Sequence, residues 1–144
     1  MYANPGFGVI QGDVTNGYNE ITREAVLNSI RDTGRLNNTL PFSHTRMHLQ
    51  AYVGMGSGTQ LTKAPFKCAE GVHQGAVESC WFFALGFNKA FQKYNTTLLE
   101  NGVRGMAMAD NNYAMGHPDH IFQSHQTFSN DLINVELQLQ PTKS

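Results

Sequence analysis

The spacing of apolar and polar positions changes character along this chain, and each spacing predicts a different element. Phe7-Gly-Val-Ile-Gln-Gly-Asp13-Val14 follows Pro5-Gly6 and mixes β-branched residues with a partial alternation, which predicts a strand ending in Asp13. Asn16-Gly17-Tyr18-Asn19 breaks that strand. From Glu20 the spacing is helical, with Ile21, Ala25, Val26 and Ile30 on one stripe, until Gly34 and Asn37-Asn38 end it. A second helix is predicted from Pro41, with Phe42, Leu49, Tyr52 and Val53 sharing much of one face. Gly54-Met-Gly-Ser-Gly58 reads as a connector, and residues 59–61 with 65–69 as a short two-stranded ribbon.

Residues 76–94 are the most apolar helical stretch. Val77, Trp81, Ala84 and Phe91 recur at helical spacing, and Cys80, Phe83 and Phe87 broaden the face, so this helix should be central to the core. In 105–116 two runs of small and apolar residues flank Asp110-Asn111-Asn112, a hairpin signal that puts a carboxylate at the tip. Pro118-Asp119 suits the first turn of a further helix, 118–132, with Ile121, Phe122, Phe128 and Leu132 as buried candidates. Val135, Leu137 and Leu139 then alternate with Glu136, Gln138 and Gln140, which predicts a half-exposed strand.

The predicted order is β-α-α-(β-β)-α-β-β-α-β. Strands divided between hairpins and long connections indicate an α+β domain of two layers, an antiparallel or mixed sheet with helices packed on one face. On such a sheet Asp13 and Asp110 come near one another, because neighbouring strand ends lie within several ångström. Two carboxylates meeting there can hold magnesium.

Composition narrows this picture in a few respects. The 144 residues suit a single domain, 1–144, with one core. A formal charge of −1 and the lack of a basic run exclude a self-sufficient electrostatic nucleic-acid binder. No signal peptide or membrane-spanning apolar run is legible, so a soluble, intracellular chain is expected. Cys68 and Cys80 form no close pair and read as buried thiols. His44 and His48 lie i, i+4, and His117, His120 and His125 follow the hairpin; neither set matches a zinc pattern, and the pair reads as solvent-facing or hydrogen-bonded imidazoles, the three as surface histidines.

Several blocks, in order, resemble the palm domain of reverse transcriptases, especially the RNA-directed DNA polymerases of retrotransposons. Asp13-Val-Thr-Asn-Gly-Tyr-Asn19 is similar to the first catalytic block, Asp-x-x-Asn-Ala-Phe-Asn, with Gly17 for Ala and Tyr18 for Phe. Gln74-Gly75, Ser79 and Phe83 match a Gln-Gly-x-x-x-Ser block that opens a helix. Met108-Ala-Asp-Asn111 occupies the place of the Tyr-x-Asp-Asp hairpin, and Gly116-His-Pro-Asp resembles the Gly-x-Pro turn after it. Leu137-Gln-Leu-Gln-Pro-Thr-Lys143 is similar to the Leu-x-Leu-Asn-x-x-Lys strand. The resemblance runs from Phe7 to Lys143 and covers only the palm; the family's fingers would precede Asp13 and its thumb would follow Lys143.

What the resemblance implies is two-metal nucleotidyl transfer onto a template-primer from deoxynucleoside triphosphates. Asp13, Asp110 and the main-chain carbonyl of Val14 would hold two Mg2+ (or Mn2+) ions. Tyr18 would pack under the incoming sugar, Gln74 and Gly75 would lie against template or nucleotide, and Lys143 would face either the triphosphate or solvent. Asn111 stands where the family has its second catalytic aspartate. An amide oxygen can ligate a metal but brings no charge, so impaired activity or a non-catalytic palm remnant acting as a nucleic-acid or protein binding module are both compatible with the residues.

Overall fold

The computed structural model describes residues 6–48, 51–55, 62–68 and 70–140. Strand β1 (Gly8–Asp13) leads through a one-turn helix α1 (Gly17–Glu20) into α2 (Arg23–Thr33), whose first turn is capped by the Thr22 hydroxyl accepting from the Ala25 N–H. A 3-10 turn (Asn37–Thr39) and α3 (Leu40–His48) follow, then β2 (Ala51–Met55) and β3 (Thr62–Cys68). The long helix α4 (Ser79–Glu100) precedes the hairpin of β4 (Arg104–Met108) and β5 (Asn111–Gly116), and α5 (Pro118–Ile133) completes the order.

Strands β1, β5 and β4 form an antiparallel sheet in that order, while β2 and β3 pair as a separate ribbon. Helices α4 and α5 cover one face of the three-stranded sheet, and α2 packs on the far side of α4. The expected two-layer α+β architecture is therefore observed, with an antiparallel sheet. Alternation decides which strand residues meet the helices. Gly12, Asn112, Ala114 and Gly116 are buried, whereas Val9, Met106, Met108 and Met115 stand on the opposite, open face.

The core is an aromatic seam. Phe83, Phe87, Tyr94 and Phe128 are buried, with Tyr94 stacked on Phe128 at 4.2 Å between ring centroids and Phe83 on Phe87 at 5.5 Å. Ile21, Val26, Ile30, Leu98 and Leu132 close around them without exposure. Each such side chain contributes about 1.5–3 kcal/mol through burial.

Several expectations need correction, among them Phe122, which is 65% exposed on α5 instead of buried. Helix α4 starts at Ser79, and its buried face is Phe82, Phe83, Gly86, Phe87, Ala90, Tyr94 and Leu98; Val77 is 96% exposed and Ala84 is exposed. A helix apolar over so much of its circumference has no single stripe to read, and contacts with α2, α5 and β4 choose the face. The second predicted helix ends at His48, and Tyr52 and Val53 belong to β2. The partner of β3 is that strand; residues 59–61 lie outside the described residues. The predicted final strand shrinks to a bridge between Leu139 and Val14, because Leu137 bonds back to the Leu132 carbonyl at 3.0 Å and is drawn fully into the core.

Candidate functional site

Register builds the site. In the antiparallel pairing of β1 with β5, Asp13 stands directly opposite Asn111, and in the pairing of β4 with β5, Met108 does so from the other side. Ala109 and Asp110 form the two-residue turn between them, and of the two only Ala109 has a positive φ, +54°. The Val14 N–H donates to the Asp110 carbonyl at 3.3 Å, which draws the turn across the end of β1. Asp13, Asp110 and Asn111 are thus neighbours at one sheet edge, each half-exposed. The Gln140 N–H donates to the Asp13 carbonyl at 2.8 Å and fixes the chain behind the carboxylate.

Asn111 is not a free amide. Gln11 lies two residues before Asp13 on the same face of β1, and its Nε2 donates to Asn111 Oδ1 at 3.2 Å. Sequence reasoning missed Gln11, although its separation of two from Asp13 is the signal that it shares that face.

Tyr18 reaches the same region from α1. Its ring stacks on Phe83 with centroids 4.7 Å apart, and its hydroxyl donates to Cys80 Sγ at 3.4 Å. That hydrogen bond, then burial, then the nearby charges of Cys80 and Asp110 push the Tyr18 phenol up to about 12. Cys80 is exposed, contrary to the expected buried thiol, because the start of α4 turns it toward Tyr18 and solvent.

Residues 71–75 are tied to this turn by main-chain hydrogen bonds. Val72 N–H donates to the Tyr18 carbonyl at 2.6 Å and Gly71 N–H to the Ile21 carbonyl at 3.2 Å. Gln74 and Gly75 are exposed, and Gly75 has φ +94° with open space where a Cβ would stand. The backbone conformation, rather than a neighbouring group of this chain, calls for glycine there. The Ser79 hydroxyl donates to the His73 carbonyl, and Arg46 pairs with Glu78, so the start of α4 is fixed from both sides. Lys143 lies outside the described residues.

Two carboxylates beside an amide oxygen are hard oxygen donors, which suits an ion that keeps water and phosphate oxygens in its shell. Among the described residues no group of three or more His, Cys, Asp or Glu is gathered to hold a metal. Beside the two carboxylates extends the open sheet face, where Val9 and Met108 are each 68% exposed and Met106 and Met115 are exposed as well. No helix among the described residues is long and apolar enough to cross a membrane.

Of the histidines, His44, His48, His117 and His120 are exposed. His125 departs from the surface reading. It turns inward from α5, where burial holds its imidazole below the usual value and leaves Nε2 buried.

No protein-family profile and no curated protein sequence matches the chain. Among solved structures, apo telomerase from Candida tropicalis, truncated from its C-terminal domain, matches over 95% of this chain with a TM-score of 0.75 and 16% identity. Telomerase from Candida albicans in complex with the TWJ fragment of telomeric RNA matches over 96% with a TM-score of 0.62 and 11% identity. The chain spans 30% and 27% of those two chains. At such identities the likeness is one of fold alone, shared with part of those telomerase chains.

Proposed function

We propose that this chain is the palm of a retrotransposon-type RNA-directed DNA polymerase, with Asp13 and Asp110 as its metal-holding carboxylates and a nucleic-acid template-primer and deoxynucleoside triphosphate as its substrates. The observation that carries the reading is the register that sets Asp13 opposite Asn111 with Asp110 in the adjoining turn. Two magnesium ions, when bound, would stabilise the attacking and leaving oxygens of an in-line displacement at phosphorus. Asp13 and Asp110 would hold them, with the Val14 carbonyl as a further oxygen.

The other residues divide the remaining work. Tyr18, flat against Phe83, would wall the sugar side of the nucleotide. Exposed Gln74 and the side-chain-free Gly75 would admit template or nucleotide close to the main chain, and Lys143 would offer its charge to the triphosphate. The exposed apolar face beside the carboxylates suits the sugar edges of a duplex better than a phosphate track, in keeping with a net charge of −1. The RNA in the Candida albicans structure supports a nucleic-acid partner in the same coarse sense.

A second reading is favoured by a specific contact. Asn111 brings no charge and its amide oxygen already accepts from Gln11, which suits a palm retained for nucleic-acid or protein binding after loss of catalysis. Titrating dTTP with Mn2+ while following the emission of Trp81, the single tryptophan, separates the two. The polymerase reading expects saturable nucleotide binding that weakens about tenfold or more in Asp13→Ala and Asp110→Ala, the loss of one charge-assisted ligand. Nucleotide binding indifferent to both substitutions, or none, leaves the binding-module reading.

A further inference from the structure

Beneath the candidate site lies a polar cluster that the proposed chemistry does not use. Asn112, the residue after Asn111, is 0% exposed, and neither its Oδ1 nor its Nδ2 has a hydrogen-bond partner. It points between the sheet and α5. His125 converges on the same space; its Nε2 is likewise buried and without a hydrogen-bond partner, and its Nδ1 lies 3.5 Å from the Tyr94 hydroxyl of α4. Gly12 faces both. A Cβ at Gly12 would stand 2.7 Å from Asn112 Oδ1, 2.9 Å from its Nδ2 and 2.9 Å from His125 Cε1.

Buried polar atoms are seldom left without partners, because each then bears its full loss of hydration. Here two orphaned groups of matching chemistry converge on one glycine. An amide offers both a donor and an acceptor, and a neutral imidazole nitrogen is one or the other according to tautomer, so a small side-chain rotation would let them satisfy one another in either tautomer. The position in the sheet gives that pairing its consequence. Gly12 immediately precedes Asp13 and is the register partner of Asn112, while Asn112 immediately follows Asn111.

We propose that Asn112 and His125, converging beneath Gly12, are positioning residues that pair with one another after a small side-chain rotation, anchoring the β4–β5 hairpin to α5 and holding Asp110 and Asn111 against Asp13. The missing side chain at Gly12 is what leaves room for both. In linking this pair to divalent-ion binding, the inference rests on the metal-holding roles given to Asp13 and Asp110 above.

The test compares wild type, Asn112→Leu, His125→Leu and the double variant by two readouts. The first is amide hydrogen exchange of Val14, whose N–H is bonded to the Asp110 carbonyl, relative to Ile30 in α2. Each single variant strands one polar partner and should lower Val14 protection about tenfold more than that of Ile30. The double variant strands neither and should recover to within about threefold of wild type. The second readout is Mn2+ affinity by titration, which should weaken in the singles and return in the double.

A purely structural role would lower Val14 and Ile30 together and leave the ratio unchanged, and that result overturns the proposal, as does a double variant whose loss is the sum of the singles. If exchange follows the expected pattern while wild type binds no Mn2+, the coupling stands and the metal-holding reading falls. If Mn2+ binds but is indifferent to all three variants, the reading stands and the positioning role falls.

Discussion

Ala109 shows how much of the site is decided by single residues. It occupies the left-handed region at φ +54°, where a Cβ costs about 1–2 kcal/mol, and it does so next to Asp110. Ala109→Gly should therefore raise unfolding stability by about 0.5–1 kcal/mol after the entropy of the added glycine is deducted, measurable by denaturant titration. His125 supplies a pH dependence of definite sign. Its folded value is held below the usual one of about 6.5, so between the two the unfolded chain binds the extra proton. Stability contributed by neutral His125 is complete above about pH 6.5 and declines as pH falls toward the folded value. Thermal midpoints measured across that range should fall more steeply for wild type than for His125→Gln, and parallel curves would refute it. Asp13 and Asp110 were legible in the sequence because a strand end and a turn each have their own signals. Asn112 and His125 were not, since nothing local says which face of β5 or α5 meets the other.

Among the elements, α4 shows where periodicity stops being informative. Its existence follows from a long apolar run, but apolar residues surround most of it, so only tertiary contacts decide that Phe83 is buried and Val77 exposed. Phe83→Ala should cost about 3–5 kcal/mol by removing a ring that packs on both Tyr18 and Phe87, whereas Val77→Ala should change stability by no more than about 0.5 kcal/mol. Chemical unfolding of the two variants distinguishes this face from the one the spacing indicated. Tyr52 and Val53 carry a similar lesson. Their helical spacing to Phe42 is incidental, and the aromatic and β-branched composition that favours a strand wins once β3 offers a partner. The last predicted strand failed for the opposite reason: Leu137 alternates correctly, but the end of α5 claims its main-chain N–H.

For the whole molecule, the order of elements up to α5 and the two-layer α+β arrangement were legible, because hairpin signals and long helical connections constrain topology strongly. The approach of Asp13 to Asp110 depends on sheet order and register, which sequence spacing alone leaves open; β5 lies between β1 and β4, and that order brings the main chain of the two residues together. What the assembled site does turns on whether those carboxylates share an ion. Manganese titration of the intact chain asks this without substrate, comparing wild type with Asp13→Ala, Asp110→Ala and Asn111→Asp. The expected result is a wild-type chain that binds Mn2+, about tenfold weaker binding or less in either alanine variant, and tighter binding when Asn111→Asp restores a charge. A folded chain that binds no Mn2+, and gains none from Asn111→Asp, would contradict the polymerase reading of this site.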